Sequence, residues 1–152
     1  RDYKVTGVQT CALPICRTLL VTRSRLRYFA KATGQTDPVY VDVDAARRAG
    51  HRDLPVPPTF YFSVEFETAD PFAWMAEQGI ELSSVLHGGQ RFEYHRMAYA
   101  GDELTATSRL SDSYEKRGGE LRFFVRSTEV VDAAGDLVAE LTSTNICRRA
   151  AG

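Results

Sequence analysis

The chain has little of what marks a disulfide scaffold, a metal cluster or a membrane span. Its 152 residues include three cysteines, and two of these, Cys11 and Cys16, fall within the first sixteen positions. Cys147 alone remains in the rest of the chain. One cysteine forms no disulfide framework, no thiolate metal cluster and no CxxC redox pair, so no metal site is expected. Such usage suggests a reducing cytoplasm. No apolar run approaches the ~20 residues that cross a bilayer, and a membrane partner is not expected. The 19 basic and 20 acidic side chains leave a formal net charge of −1. That balance argues against a nucleic-acid or other polyanion partner, which selects a basic surplus. Internal repeats, low-complexity tracts and interdomain linkers are absent from the sequence. The length suits one domain that can bury most of its apolar surface.

The leading residues are set aside from the fold. Val5 to Ile15 read VTGVQTCALPI, which resembles one reading frame of a common sequencing-library adapter. That frame leaves a single T, with which the codon of Cys16 begins. Arg1-Asp2 match the preceding adapter segment, and Tyr3-Lys4 take the place of a barcode. Translated scars are excluded from fold reasoning. Residues 1–16 are therefore read as scar and junction, and 17–149 as one domain. On this reading the natural N-terminus is missing, no signal peptide is argued for or against, and deleting Arg1 to Ile15 leaves folding unchanged.

The remaining chain is helical first and strand-like later. Leu19 to Thr22 suits a short strand. Arg23 to Thr33 places Leu26, Phe29, Ala30 and Thr33 on one stripe, with Gly34 as the stop. Asp42 is a good N-cap for a short helix through Ala49, which Gly50 ends. Leu54-Pro55-Val56-Pro57-Pro58 cannot be helical. Pro58 suits the first turn of a third helix, Thr59 to about Glu67. Phe60, Tyr61, Phe62, Val64 and Phe66 cover nearly every side of it, which predicts a buried helix. Asp70-Pro71 opens a further helix through Gln78, closed by Gly79. From Val85 the period becomes two. Phe92 and Tyr94 share one face, opposite Arg91, Glu93 and His95. Leu104, Ala106, Ser108 and Leu110 alternate with polar residues, and Leu121, Phe123 and Val125 alternate with Arg122 and Arg126. Leu137, Ala139 and Leu141 open a last strand ending near Arg148. Turn signals lie at Ala100-Gly101-Asp102, Arg117-Gly118-Gly119 and Ala133-Ala134-Gly135-Asp136. Helices before an antiparallel meander make an α+β arrangement.

Ala32 to Tyr40 read Ala-Thr-Gly-Gln-Thr-Asp-Pro-Val-Tyr. This stretch resembles the hydratase motif of the MaoC-like dehydratases and (R)-specific enoyl-thioester hydratases. Gly34, Pro38, Val39 and Ala45 or Ala46 keep the motif's frame. Pro57-Pro58-Thr59-Phe60, Leu86-His87-Gly88-Gly89-Gln90, Phe92-Glu93-Tyr94-His95-Arg96 and Gly101-Asp102 extend the resemblance to most of the chain. They point to the small N-terminal, FAS1-like dehydratase-type domains of that group. The resemblance implies a single hot-dog fold, a curved antiparallel sheet wrapped around a buried helix.

It also implies chemistry on a 2-enoyl or 3-hydroxyacyl thioester carried by CoA or acyl-carrier protein, with no cofactor. Active relatives use an Asp and a His as an acid/base pair. Here those positions are Gln35 and Tyr40. Gln35 cannot exchange a proton near neutral pH, and an unperturbed phenol with a pKa of about 10 is a poor base. The usual dyad is therefore missing. His87, next to two glycines, is the remaining candidate base, although a role in ordering its loop fits as well. Thr59 and Phe60, at the start of the buried helix, are candidate thioester-carbonyl donors, and Phe62 a candidate acyl contact. Arg96 is a candidate for a CoA phosphate or a partner's carboxylate. His51 and His95 read as surface residues, Asp37 as a local turn former, and Glu65 as the partner of an arginine rather than a thioesterase nucleophile.

Three functions fit this pattern. The first is an acyl-binding subunit of a MaoC-like hydratase/dehydratase, paired edge to edge with a dyad-bearing chain. The second is an autonomous homodimeric enoyl-CoA hydratase or hot-dog thioesterase. The third is an acyl-CoA-binding module without turnover.

Overall fold

Strand β1 (Ile15–Leu20) opens the computed structural model, which describes residues 14–148. The Thr22 hydroxyl accepts the Arg25 N–H at 3.3 Å and starts helix α1 (Arg23–Ala32), which buries Leu26 and Ala30. Asp37 accepts the Val39 N–H at 3.0 Å and starts a single 3-10 turn, Pro38–Tyr40. Asp42 then caps α2 (Val43–Arg48), and the chain leaves it through Gly50, whose φ of 92° favours glycine. Leu54 to Val56 are pinned in extended form. The Val56 N–H donates to Ala98 and Leu54 accepts from Ala100, both at 2.9 Å.

The expected third helix is a 3-10 run, Pro58–Phe66. The Ser63 hydroxyl donates to the Phe60 carbonyl at 2.6 Å. Such local side-chain bonds compete with the α-helical ladder, and the proline pair removes donors at the start. The helix is also not apolar on every side. Phe60, Tyr61, Val64 and Glu65 are buried, Phe62 is half-buried and Phe66 is exposed. Next, α3 (Ala73–Glu77) is shorter than expected, with Asp70 accepting the Phe72 N–H before it begins.

Four long strands complete the chain: β2 (Val85–Tyr94), β3 (Glu103–Lys116), β4 (Leu121–Asp132) and β5 (Leu137–Arg148). All pairings are antiparallel, in the spatial order β1-β3-β4-β5-β2. The helices α1 to α3 and the central 3-10 helix lie between β1 and β2, the two edges. The sheet's inner face and the central helix share one apolar cluster, which includes Leu19, Phe60, Val64, Leu104, Val130 and Leu141. A smaller cluster gathers Trp74, Met75, Phe124 and Cys147 at the other end. The α+β hot-dog expectation therefore holds.

One strand face is reversed. The sequence set Leu121, Phe123 and Val125 against Arg122 and Arg126. In the structure Phe124, Arg126, Thr128 and Val130 are buried, and Phe123 and Val125 are only half-buried. Arg126 points inward because Glu65 of the central helix receives it. A hydrophobic pattern cannot foresee an arginine that is buried by its partner.

The same inward alternation runs through β1. Arg17 and Leu19 are buried and Ile15 is half-buried against the Trp74 cluster. Ile15 and Cys16 pair with Ser108 and Thr107. The described sheet thus uses two residues of the segment read as scar and junction. Residues 1–13 lie outside the described residues. Deleting Arg1 to Pro14 is expected to leave the melting temperature unchanged. A drop of several degrees in a thermal scan would place native structure in that segment.

Candidate functional site

Inner-face positions alternate along each strand, and at one level every strand carries a polar residue. Arg17 lies on β1 between Ile15 and Leu19, and Ser108 on β3 between Ala106 and Leu110. Arg126 and Thr128 lie on β4 between Phe124 and Val130. Ser143 lies on β5 after Leu141, and Gln90 on β2 before Phe92. This polar belt crosses the sheet between the two apolar clusters. Glu65 reaches it from the central helix.

The belt is hydrogen-bonded at its centre. The Thr128 hydroxyl donates to Glu65 Oε1 at 2.6 Å, and Arg126 Nη1 donates to Glu65 Oε2 at 3.3 Å. Ser108 lies 2.9 Å from the Thr128 hydroxyl. Because the Thr128 proton is directed at Glu65, Ser108 is the donor there. The Ser143 hydroxyl donates to Gln90 Oε1 at 2.6 Å. The Arg126 guanidinium also lies 4.9 Å from the Trp74 ring centroid. Burial pulls its pKa below the ordinary arginine value. Glu65 opposes that shift, and Arg17 adds to it. Glu65 thus behaves as expected, as the partner of an arginine. Both its oxygens are engaged, which is unfavourable for a thioesterase nucleophile.

A small cavity of about 40 Å³ opens beside this pair, bounded by Phe62, His87, Ser143, Asn145 and by Trp74 and Met75 of α3. His87 stands across from Asn145 on β5, with its ring 6.1 Å from that of Phe62. The register of β2 shifts between His87 and Gly89. A side chain at Gly88 would meet Ile146 at 2.7 Å and the Thr144 carbonyl at 3.2 Å, so this bulge requires glycine.

The other expected residues are dispersed. Gln35 and Tyr40 belong to the capped loop after α1 and do not line this cavity. The Gln35 side chain accepts the Asp37 N–H at 3.0 Å, so it serves its own loop. Thr59 is exposed at the helix start. Phe60 is 3 % exposed in the core, edge-on to Phe29. Its N–H donates to Pro57 at 3.0 Å and is therefore engaged, leaving Thr59 as the oxyanion candidate of the pair. Arg96 is held by Asp132 at 3.1 Å and Asp136 at 2.7 Å, at the β4–β5 turn. Those carboxylates already neutralise it. Of the phenols, burial pushes Tyr61 up to about 12, too high for a base at neutral pH. His51 lies 3.3 Å from the Tyr99 hydroxyl and His95 2.8 Å from Glu140. Glu93 joins the latter pair in a group whose side-chain N and O atoms lie within 4.8 Å of one another, with Glu93 and His95 exposed and Glu140 half-buried. Sequence reasoning missed Arg17, Ser143 and Asn145 as belt or cavity residues. An arginine between two inward apolar positions, as in Ile15-Cys16-Arg17-Thr18-Leu19, was the available signal.

The architecture and the Gly34–Tyr40 loop define a hot-dog protein of the dehydratase/hydratase type. The profile of the family described as "FAS1-like, dehydratase domain region" matches residues 14–141, and the chain belongs to that family. A UPF0336 protein of Leifsonia xyli subsp. xyli is 42% identical over 129 residues, covering 85% of each chain. A solved MaoC-like dehydratase superposes with a TM-score of 0.78 at 25% identity, over 91% of this chain and 41% of that one. The C-terminally truncated HadBC (3R-hydroxyacyl-ACP dehydratase) complex from Mycobacterium tuberculosis gives 0.70 at 23% identity. That match covers 91% of this chain and 99% of the other. No helix among the described residues is long and apolar enough to cross a membrane.

Proposed function

We propose that the chain is the acyl-binding subunit of a two-chain hydratase/dehydratase acting on 2-enoyl or 3-hydroxyacyl thioesters, and that a second hot-dog chain supplies the Asp/His dyad. The observation that carries this reading is the residue pair at the dyad positions. Gln35 is bonded into its own loop and cannot transfer a proton, and Tyr40 is a phenol. The thioester oxygen would meet the Thr59 end of the central helix, with Phe62 along the acyl chain. The carrier is CoA or acyl-carrier protein, the reaction class needs no cofactor, and the setting is cytoplasmic fatty-acid metabolism.

Strand β2 supports the two-chain arrangement. Among the described residues it is a ten-residue edge paired along one side alone, and Leu86 and Tyr94 on it are exposed by 63 % and 48 %. A long edge of this kind is a template for another strand. That the HadBC neighbour is a complex of two chains agrees with this reading.

Coexpression with a dyad-bearing MaoC-like chain is expected to give a stable 1:1 heterodimer by light scattering. Leu86→Glu with Tyr94→Glu is expected to abolish it, because added charge along the edge opposes pairing. A monodisperse monomer that ignores the second chain at micromolar concentration would refute the subunit reading.

A further inference from the structure

The belt has more donors than acceptors. Three buried nitrogens on it lack a hydrogen-bond partner among the described residues: Arg17 Nε, Arg126 Nη2 and Gln90 Nε2. Turning the Gln90 amide over would exchange one unmet atom for another. The guanidiniums carry donors only, so no such exchange is open to them. Charge is unbalanced in the same direction. Arg17 and Arg126 are 7 % and 6 % exposed, and Glu65 is the one acidic side chain as deeply buried among the described residues. Two buried cations face one buried carboxylate. Unmet donors and surplus positive charge in a buried site are both costly, and an acceptor anion beside Arg126 would offset the charge and meet one of the three donors.

The place for it is the cavity beside Arg126. At about 40 Å³ it holds more than the ~10–15 Å³ that admits one water. Asn145 and His87 line it and offer further N–H groups. We propose that this cavity is a carboxylate-binding site, in which the Arg126 guanidinium pairs with a monoanionic carboxylate beside the Glu65 ion pair. Guanidinium–carboxylate geometry favours such pairing, and one negative charge brings the belt to neutrality. A free carboxylic acid or an acyl thioester whose chain ends in a carboxylate supplies this chemistry. The second source rests on the acyl-binding function proposed above.

Trp74 is the chain's single tryptophan and lies against Arg126, so its fluorescence reports the site directly. The full chain is titrated with sodium acetate at constant ionic strength. Saturable quenching or enhancement is expected. Arg126→Met is expected to remove it, and Arg109→Gln, on the exposed face, to leave it intact. Glu65→Gln moves the opposite way. With the competing carboxylate gone, acetate should bind at least tenfold more tightly and raise that variant's melting temperature. Either variant decides the matter where the other folds poorly. A titration without saturation in the parent chain, saturation that survives Arg126→Met, or an unchanged acetate affinity in Glu65→Gln would overturn the proposal.

Displacement of acetate by glutaryl-CoA but not by butyryl-CoA would assign the carboxylate to the far end of an acyl thioester. Saturable acetate binding that neither thioester displaces would leave the site standing for a free acid. In that case the acyl-thioester source, and not the carboxylate site, would fall.

Discussion

Glu65→Gln should cost about 3–5 kcal/mol of folding stability, the range for removing one partner of a buried ion pair. Without its carboxylate, two guanidiniums that are each more than nine-tenths buried face each other with no counter-charge. Thr128 would also lose its ionised acceptor. A less obvious consequence falls on the cation side. Arg126→Met should be the milder change, because Arg17 then balances Glu65 and the surplus positive charge disappears. The double variant should lie between the two singles. Stabilities come from urea denaturation at one fixed protomer concentration, since assembly adds to apparent stability. A loss below about 1 kcal/mol for Glu65→Gln, or a greater loss for Arg126→Met, would mean that the belt is screened by water and not electrostatically strained.

The polar belt was the part least visible in the sequence. Helix starts were legible because they depend on local chemistry. Asp42 and Asp37 each cap the segment that their position suggested, and Gly34, Gly50 and Gly79 all take positive φ where helices were expected to stop. The β3 face was legible because Leu104, Ala106 and Ser108 alternate in a plain pattern. Strand β4 was misjudged because its face is decided 61 positions away, by the Glu65 that meets Arg126. The α-geometry expected for the central helix failed for a local reason, the Ser63 bond to Phe60. The dyad substitutions were legible at once, since a motif frame with Gln35 and Tyr40 in it needs no coordinates. The small cavity was not, because it joins β2, β4, β5, the central helix and α3.

Catalysis is the second large effect. The purified chain is expected to leave enoyl thioesters essentially unhydrated. General acid–base groups contribute about 10²–10⁴-fold each, so loss of both leaves little beyond binding and oxyanion stabilisation. His87, the remaining candidate base, stands apart from the dyad positions. It faces Phe62 and Asn145, beside a cavity that neither Gln35 nor Tyr40 reaches. A dyad-bearing partner should restore turnover, while this chain contributes the acyl-binding half.

The most direct measurement tracks loss of the conjugated-thioester absorbance of crotonyl-CoA and of a longer enoyl-CoA. The purified chain is assayed alone, then with the dyad-bearing chain added. No turnover above background is predicted for the chain alone, and a gain of at least about 10² with the partner. Robust turnover by the chain alone would contradict the subunit reading. If His87→Ala then abolished that turnover, His87 would be the base of an autonomous enzyme; if activity survived the substitution, the chemistry would lie at neither place.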